Sequence, residues 1–311
     1  MANYTPLNPS EDGRSRQLGL RQLLNKHAST LEHHIESLSK PLKPHLNKFA
    51  RFLLVSTFLE DALRITNQFF EQKQYLIDDQ EYHDWFVVAF LGTNVAVSIL
   101  MVLCSILIVF KKWSMFSFFG LVMVIVSQGW VYDLMTDTTF VCLNLSILGA
   151  LMLALSDTVV GTSGTGGSRR GAVAGVPDIT EDVARKRQTY LQLAGRIMLT
   201  VFFVGHAFAS YLELASDSFT LFNIATALFS LIACLLVAVG FKAVWSALFL
   251  VIVTSVVNVL SNDWWSKPKD HPERDFRRFD FFQALSVVGG MILLINQGPG
   301  GISFDAKRTV I

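Results

Sequence analysis

Three charged residues inside an apolar run are the first candidates for chemistry: Glu60, Asp61 and Arg64 in Phe58-Leu59-Glu60-Asp61-Ala62-Leu63-Arg64-Ile65. A charge held at bilayer depth costs a few kcal/mol on insertion scales, so its presence calls for a reason. Glu60 and Arg64 stand at i and i+4, Asp61 and Arg64 at i and i+3, so one helix face can bring both acids to the arginine. One reading is a self-neutralising cluster that locks helix packing. The other is a ligand site, since two acids and one arginine leave a surplus negative charge for a cation. Both stay open on the sequence alone.

A second theme sets an acid beside aromatics: Asp133 with Tyr132, Asp263 with Trp264 and Trp265, and Asp280 with Phe281 and Phe282. An aromatic belt at the membrane interface accounts for such pairs. The same residues can also bind an apolar peptide end, the rings burying its side chains and the acids meeting a free amine. Isolated polar residues in apolar runs, among them Gln128, Asn144, Arg196, His206 and Asn258, suit interhelical hydrogen bonds.

No enzyme motif accompanies them. The sequence has no G-x-S-x-G, no H-E-x-x-H and no histidine boxes inside the apolar runs. Cys104, Cys142 and Cys234 all fall in apolar runs without a C-x-x-C, which argues against a membrane thiol oxidoreductase. The glycines of Gly161–Gly175 lack a following Gly-Lys-Ser/Thr and read as a linker, not a phosphate cradle. The expectation is a non-enzyme without metal or cofactor.

The elements that must position these residues are membrane helices. The chain of 311 residues is 51% hydrophobic and only 16% charged, with a net charge of +1, where a soluble domain averages about a quarter charged residues. Such a balance gives no general attraction to nucleic acid. Eight spans are expected, near 49–70, 85–110, 113–135, 138–156, 190–212, 218–241, 243–262 and 279–297. The last is flanked by a charged, aromatic lip, carries Gly289-Gly290 at mid-span, and ends at Gly298-Pro299-Gly300-Gly301. Its text has an echo: Leu145-Ser146-Ile147-Leu148-Gly149-Ala150 against Leu285-Ser286-Val287-Val288-Gly289-Gly290. The chain therefore reads as an all-α membrane protein of two duplicated halves. Four spans in each half make the repeat parallel, since both halves then enter the membrane in the same sense.

The expected division is an N-terminal region 1–48 with an amphipathic helix near Leu20–Leu38, a first membrane half 49–156, a linker 157–189, a second half 190–297 and a tail 298–311. Lysines and arginines favour one side. Seven precede the first span, two are Lys111 and Lys112, five lie in 157–189, one is Lys242 and two are in the tail, against six on the other side. Both termini are thus expected in the cytosol.

With these phrases in view, the chain from about Phe52 to Arg308 resembles the surfeit locus protein 4 family. The resemblance rests on Ser56-Thr57-Phe58-Leu59-Glu60-Asp61, Ala174-Gly175-Val176-Pro177, Ala194-Gly195-Arg196, Val239-Gly240-Phe241-Lys242, Phe279-Asp280-Phe281-Phe282-Gln283 and Gly298-Pro299-Gly300-Gly301-Ile302-Ser303. It implies a multispan receptor in the endoplasmic reticulum membrane, cycling through vesicles and Golgi. Such a receptor binds soluble secretory cargo proteins in the lumen and enters COPII vesicles. Family members typically end in a dilysine signal read by the COPI coat. Here Lys307-Arg308-Thr309-Val310-Ile311 has arginine and threonine where the lysines belong, and Val310-Ile311 is an alternative apolar export signal.

The acids and rings themselves, and not the resemblance, point to Glu60, Asp61, Arg64, Asp133, Trp264, Trp265, Asp280, Phe281 and Phe282 as the cargo site, with Lys307, Arg308, Val310 and Ile311 as the sorting signal. A small-molecule or lipid transporter is the competing reading, because parallel repeats and buried polar groups suit it too. Partners are cargo, COPII and COPI coats, membrane lipid and a second copy in a homo-oligomer, with no nucleic acid. A topology test lies in the sequon Asn3-Tyr4-Thr5: Asn3 should carry no glycan, and an endoglycosidase-sensitive shift lost in Asn3→Gln would invert the orientation.

Overall fold

The computed structural model describes residues 45–74, 84–131, 134–136, 138–165, 179–214, 221–240, 243–268, 271–298, 300 and 302–303. The amphipathic helix expected near Leu20–Leu38, Asp133, Tyr132 and the tail from Phe304 to Ile311 lie outside them. The chain divides into two compact units, Met1–Leu46 and Asn47–Ile311, and the second holds the bundle.

Among the described residues all regular structure is helical. Helix α1 spans 45–67, followed by a short α2 (Phe69–Gln74), α3 (Asp84–Val109), α4 (Ser114–Val131), α5 (Thr138–Thr165), α6 (Ile179–Leu214), α7 (Leu221–Val239), α8 (Ala243–Ser261) and α9 (Pro272–Gln297). Single 3-10 turns, Leu134–Thr136 and Trp264–Ser266, precede α5 and α9. Four segments, Val87–Val109, Phe140–Thr158, Ala243–Ser266 and Glu273–Gln297, are long and apolar enough to cross a membrane, and α4 holds a shorter apolar run. The protein is an all-α polytopic membrane protein.

Each expected span coincides with a helix among the described residues, but some ends move. Helix α9 begins at Pro272, well before position 279. His271 accepts a hydrogen bond from the Glu273 amide, Pro272 occupies the first turn, and Glu273 and Asp275 oppose the helix dipole. The charged lip is thus helical, not loop. Helix α5 runs on to Thr165 and α6 starts at Ile179, so both enter the stretch expected as linker.

Glycine decides how the helices meet. A Cβ on Gly289 would lie 2.5 Å from the Leu54 amide nitrogen and 2.6 Å from the Ala50 carbonyl. A Cβ on Gly149 would lie 2.6 Å from both the Gly195 carbonyl and the Leu199 nitrogen. These are the same contact made twice, for Ala50, Leu53 and Leu54 occupy the places that Gly195, Met198 and Leu199 occupy in the second half. The partners are exchanged: α1 of the first half packs on α9 of the second, and α6 of the second packs on α5 of the first. Between them α5 and α9 run parallel. Gly290 abuts Ala150, and further along Gln297 Nε2 donates to the Leu153 carbonyl at 2.8 Å while Ser156 Oγ donates to Gln297 Oε1 at 2.9 Å.

The next residue in each first helix is a fully buried arginine. Arg51 donates to the carbonyls of Ile108 (2.9 Å) and Ala154 (2.7 Å) and pairs with Asp157 at 2.8 Å. Asn47 and Lys111 converge on the same Asp157 oxygen. Arg196 takes the equivalent place, with Gln192 for Asn47 and Gln297 for Asp157, and its Nη2 donates to the Ile302 carbonyl at 2.9 Å. A buried guanidinium is tolerable only when its donors are used, and around Arg51 two carbonyls and a carboxylate use them.

Gly289→Ala and Gly149→Ala should each lower stability by about 1–3 kcal/mol, because the methyl group meets backbone that cannot yield. Gly92→Ala, with nothing within 4 Å of the added carbon, should be neutral or slightly stabilising. Thermal unfolding of the three variants in detergent checks the contrast.

Candidate functional site

At the end of the bundle away from the α5–α6 linker, three pieces converge: the C-terminal half of α1, the 3-10 turn Trp264–Ser266, and the first turns of α9. Helices α1 and α9 are antiparallel, so residues late in one face residues early in the other. Ser56 Oγ lies 3.4 Å from Ser286 Oγ, and four residues further along α1 Glu60 meets Arg278.

Glu60 and Asp61 are both buried, at 3% and 5% exposure. Asp61 accepts a hydrogen bond from Arg64 at 2.8 Å. Glu60 pairs instead with Arg278 at 3.1 Å, the guanidinium Nε approaching off the hydrogen-bonding direction. The expectation that two acids share one arginine, leaving a surplus charge, is corrected: Arg278 from α9 supplies the second cation. The physical reason is tertiary. No reading of one helix can see a counter-charge more than two hundred positions away.

Both arginines also lie on rings. The Arg64 guanidinium sits 5.2 Å from the centroid of Phe279, and Arg278 and Arg274 sit 5.7 and 5.6 Å from that of Trp264. Such stacking is worth roughly 0.5–2 kcal/mol, the larger figure where water is excluded. From Trp264 an edge-to-face ladder runs through Trp265 and Phe281 to Phe282, with centroids 6.1, 5.8 and 5.6 Å apart. Trp265 remains 52% exposed and Phe276, one helical turn before Asp280, is 73% exposed. Arg277 binds Asp263 at 2.5 Å and Lys267 binds Glu273 at 3.4 Å, so the turn carrying the two tryptophans is fastened to α9. Asn258 Nδ2 donates to the Phe281 carbonyl at 3.0 Å, joining α8 to the same corner.

The structure therefore brings Glu60, Arg64, Trp264, Trp265, Phe281 and Phe282 to one corner, with Asp61 bound through Arg64. Asp280 is exposed on α9 and takes no part in these pairs among the described residues. Asp133 lies outside the described residues, as do Lys307, Arg308, Val310 and Ile311. Five buried polar atoms at the corner, Glu60 Oε2, Arg64 Nε, Arg274 Nε, Arg278 Nε and Trp264 Nε1, have no hydrogen-bond partner among the described residues. A corner with exposed rings can receive an apolar ligand, the buried ion pairs behind them fixing where the rings stand. Among the described residues there is no cluster fit to hold a metal ion; Cys104 and Cys234 are buried free thiols and Cys142 is a half-buried one. Sequence reasoning missed the role of Arg278 and, at the other end, the Arg51–Asp157 clamp. The repeated placing of Arg51 and Arg196 was a signal that the internal duplication held.

Fold and corner together define a duplicated helical membrane protein with a ring-lined corner at one end of its described bundle. The chain belongs to the SURF4 family, whose sequence pattern matches residues 25–310. It is 35% identical over 308 residues to a surfeit locus protein 4 homolog of Schizosaccharomyces pombe, covering 98% of this chain and 96% of that one. It is 30% identical over 269 residues to the ER-derived vesicles protein ERV29 of Saccharomyces cerevisiae, covering 86% and 79%. A surfeit locus protein 4 homolog of Drosophila melanogaster is 32% identical over 286 residues, covering 91% and 97%. No solved structure matches the chain.

Glu60→Ala should cost about 1–3 kcal/mol, less than the penalty for breaking a fully buried pair because Arg278 keeps 27% exposure. Adding Arg278→Ala should cost less than the sum of the two single changes, a coupling measurable by thermal unfolding of the four species.

Proposed function

We propose that this protein is a cargo receptor of the endoplasmic reticulum membrane: it binds soluble secretory proteins in the lumen and carries them into COPII vesicles bound for the Golgi. Membership of the SURF4 family supports the setting, as does likeness to a yeast protein named for ER-derived vesicles. The observation that carries the binding step is the ring ladder Trp264–Trp265–Phe281–Phe282, fixed by ion pairs beside buried Glu60 and Arg278. The protein acts by binding and not by catalysis.

In this arrangement both termini face the cytosol and the ring-lined corner faces the lumen. An apolar cargo segment lies across Trp265 and Phe281, and the buried Glu60–Arg278 pair behind them holds α1 and α9 in register. Because Arg278 and Arg64 neutralise the acids, apolar contact contributes more to affinity than net charge. The tail contacts the COPII coat on the way out and the COPI coat on return. At mid-bundle, backbone meets backbone at Gly149 and Gly289 and Gly290 abuts Ala150. That packing favours a one-sided opening over the two-sided route a transporter needs.

The test removes two rings of the ladder, exposed Trp265 and half-buried Phe281, and leaves the buried charges in place. Trp265→Ala combined with Phe281→Ala should reduce co-capture of secretory cargo at least several-fold while the receptor itself still enters vesicles budded from isolated membranes. Cargo capture equal to wild type in that folded variant would refute the site.

A further inference from the structure

Helix α9 does not end in free chain. Gly298 turns out of the helix at φ +81°, its N–H bonded to the Leu294 carbonyl. The chain then comes back against α6. Gly300 adopts φ +78°, and a Cβ there would fall 2.7 Å from Gln192 Oε1. Ser303 Oγ closes the turn on the Gly300 carbonyl at 2.9 Å, and Ser303 is 4% exposed. Arg196, fully buried, reaches the Ile302 carbonyl at 2.9 Å. Gly240, at φ +75° where α7 ends, completes the seat: a Cβ there would meet Arg196 Nη1 and the Ser303 Cβ, each at 2.7 Å. Three elements thus shape themselves around a segment outside any helix.

The duplication shows what is unusual in this. In the first half the equivalent arginine, Arg51, is tied to Ile108, Ala154 and Asp157, all within the helices. In the second half Gln297 stands at the place of Asp157, and a bond of Arg196 goes to the post-helical segment. An internal clamp in one half is a docking seat in the other.

We infer that the seat formed by Arg196, Gln192 and Gly240 is a binding site for the chain's own segment from Gly300 to Ser303, and that its role is to set how the tail is presented to coat proteins. With Ser303 buried and its hydroxyl bonded to Gly300, the chain beyond it leaves the bundle from a fixed point. A coat subunit then meets that chain at a set place beside the membrane, and a tail released from the seat would present it at none. This role rests on the receptor reading above, in which the tail is cytosolic and carries sorting information.

The experiment compares wild type with Arg196→Gln, with Gly300→Val, and with a Gly-Ser linker of about ten residues inserted between Ser303 and Phe304. Gly300→Val disrupts the seat from the segment's side, and so covers the case in which Arg196→Gln does not accumulate. The linker leaves the seat intact and changes only the reach. Each protein is scored for cargo co-capture, for packaging into vesicles budded from isolated membranes, and for its steady-state division between endoplasmic reticulum and Golgi. The expected result is cargo capture close to wild type with packaging or steady-state division altered several-fold in all three. Normal packaging and division in Gly300→Val and in the linker insertion would overturn the inference. So would a parallel loss of cargo capture and packaging in Gly300→Val, which would make the seat purely structural. Protease removal of a C-terminal tag on intact microsomes reports the side of the tail independently; a protected tag would refute the receptor topology itself.

Discussion

Helix association inside a bilayer has little help from the hydrophobic effect, because lipid is as apolar as leucine. What remains is close van der Waals contact and internal polar pairing. Two glycine crossings, Gly289 of α9 against α1 and Gly149 of α5 against α6, meet that need by letting backbone touch backbone. The rest of the bundle depends on them. They place α1 beside α9 and α6 beside α5, and so interlock the halves. Neither half would be a separate domain, since each takes its closest packing partner from the other.

Duplication supplied two copies of every device, and the copies have diverged in kind. Arg51 retains a carboxylate, Asp157, that Asn47 and Lys111 also bind. Arg196 has Gln297 in the corresponding place and holds the post-helical segment. Glu60 and Asp61 correspond to Gly205 and His206, so the acid pair is also a feature of one half. A bundle with nearly symmetric packing thereby acquires two unlike ends. One end gathers rings beside the buried acid pair, the other gathers the two buried arginines and the post-helical residues Ile302 and Ser303.

Charge balance gives the ring-lined corner its character. Two carboxylates facing two guanidiniums are electrically neutral as a group, and burying them is tolerable for that reason. The salt bridges Arg277–Asp263 and Lys267–Glu273 lie nearer water and contribute little energy each. Their effect is positional, because they hold Trp264 and Trp265 against the start of α9.

The run of apolar segments, the short basic connectors and the echo of Leu145–Ala150 in Leu285–Gly290 were enough to settle the helical class, the place of each helix and the parallel duplication. Those properties are local: span length, hydropathy and repetition are written along the chain. The acids and rings of the corner were visible as types for the same reason. What only the tertiary structure decided is who faces whom. Arg278 neutralises Glu60 and Arg196 reaches Ile302 because helix contacts join residues far apart in sequence, whereas the early start of α9 at Pro272 follows from a cap written locally in His271-Pro272-Glu273. Spacing of three or four residues describes one face of one helix, whereas the crossing that selects its partner is set by glycine contacts between helices.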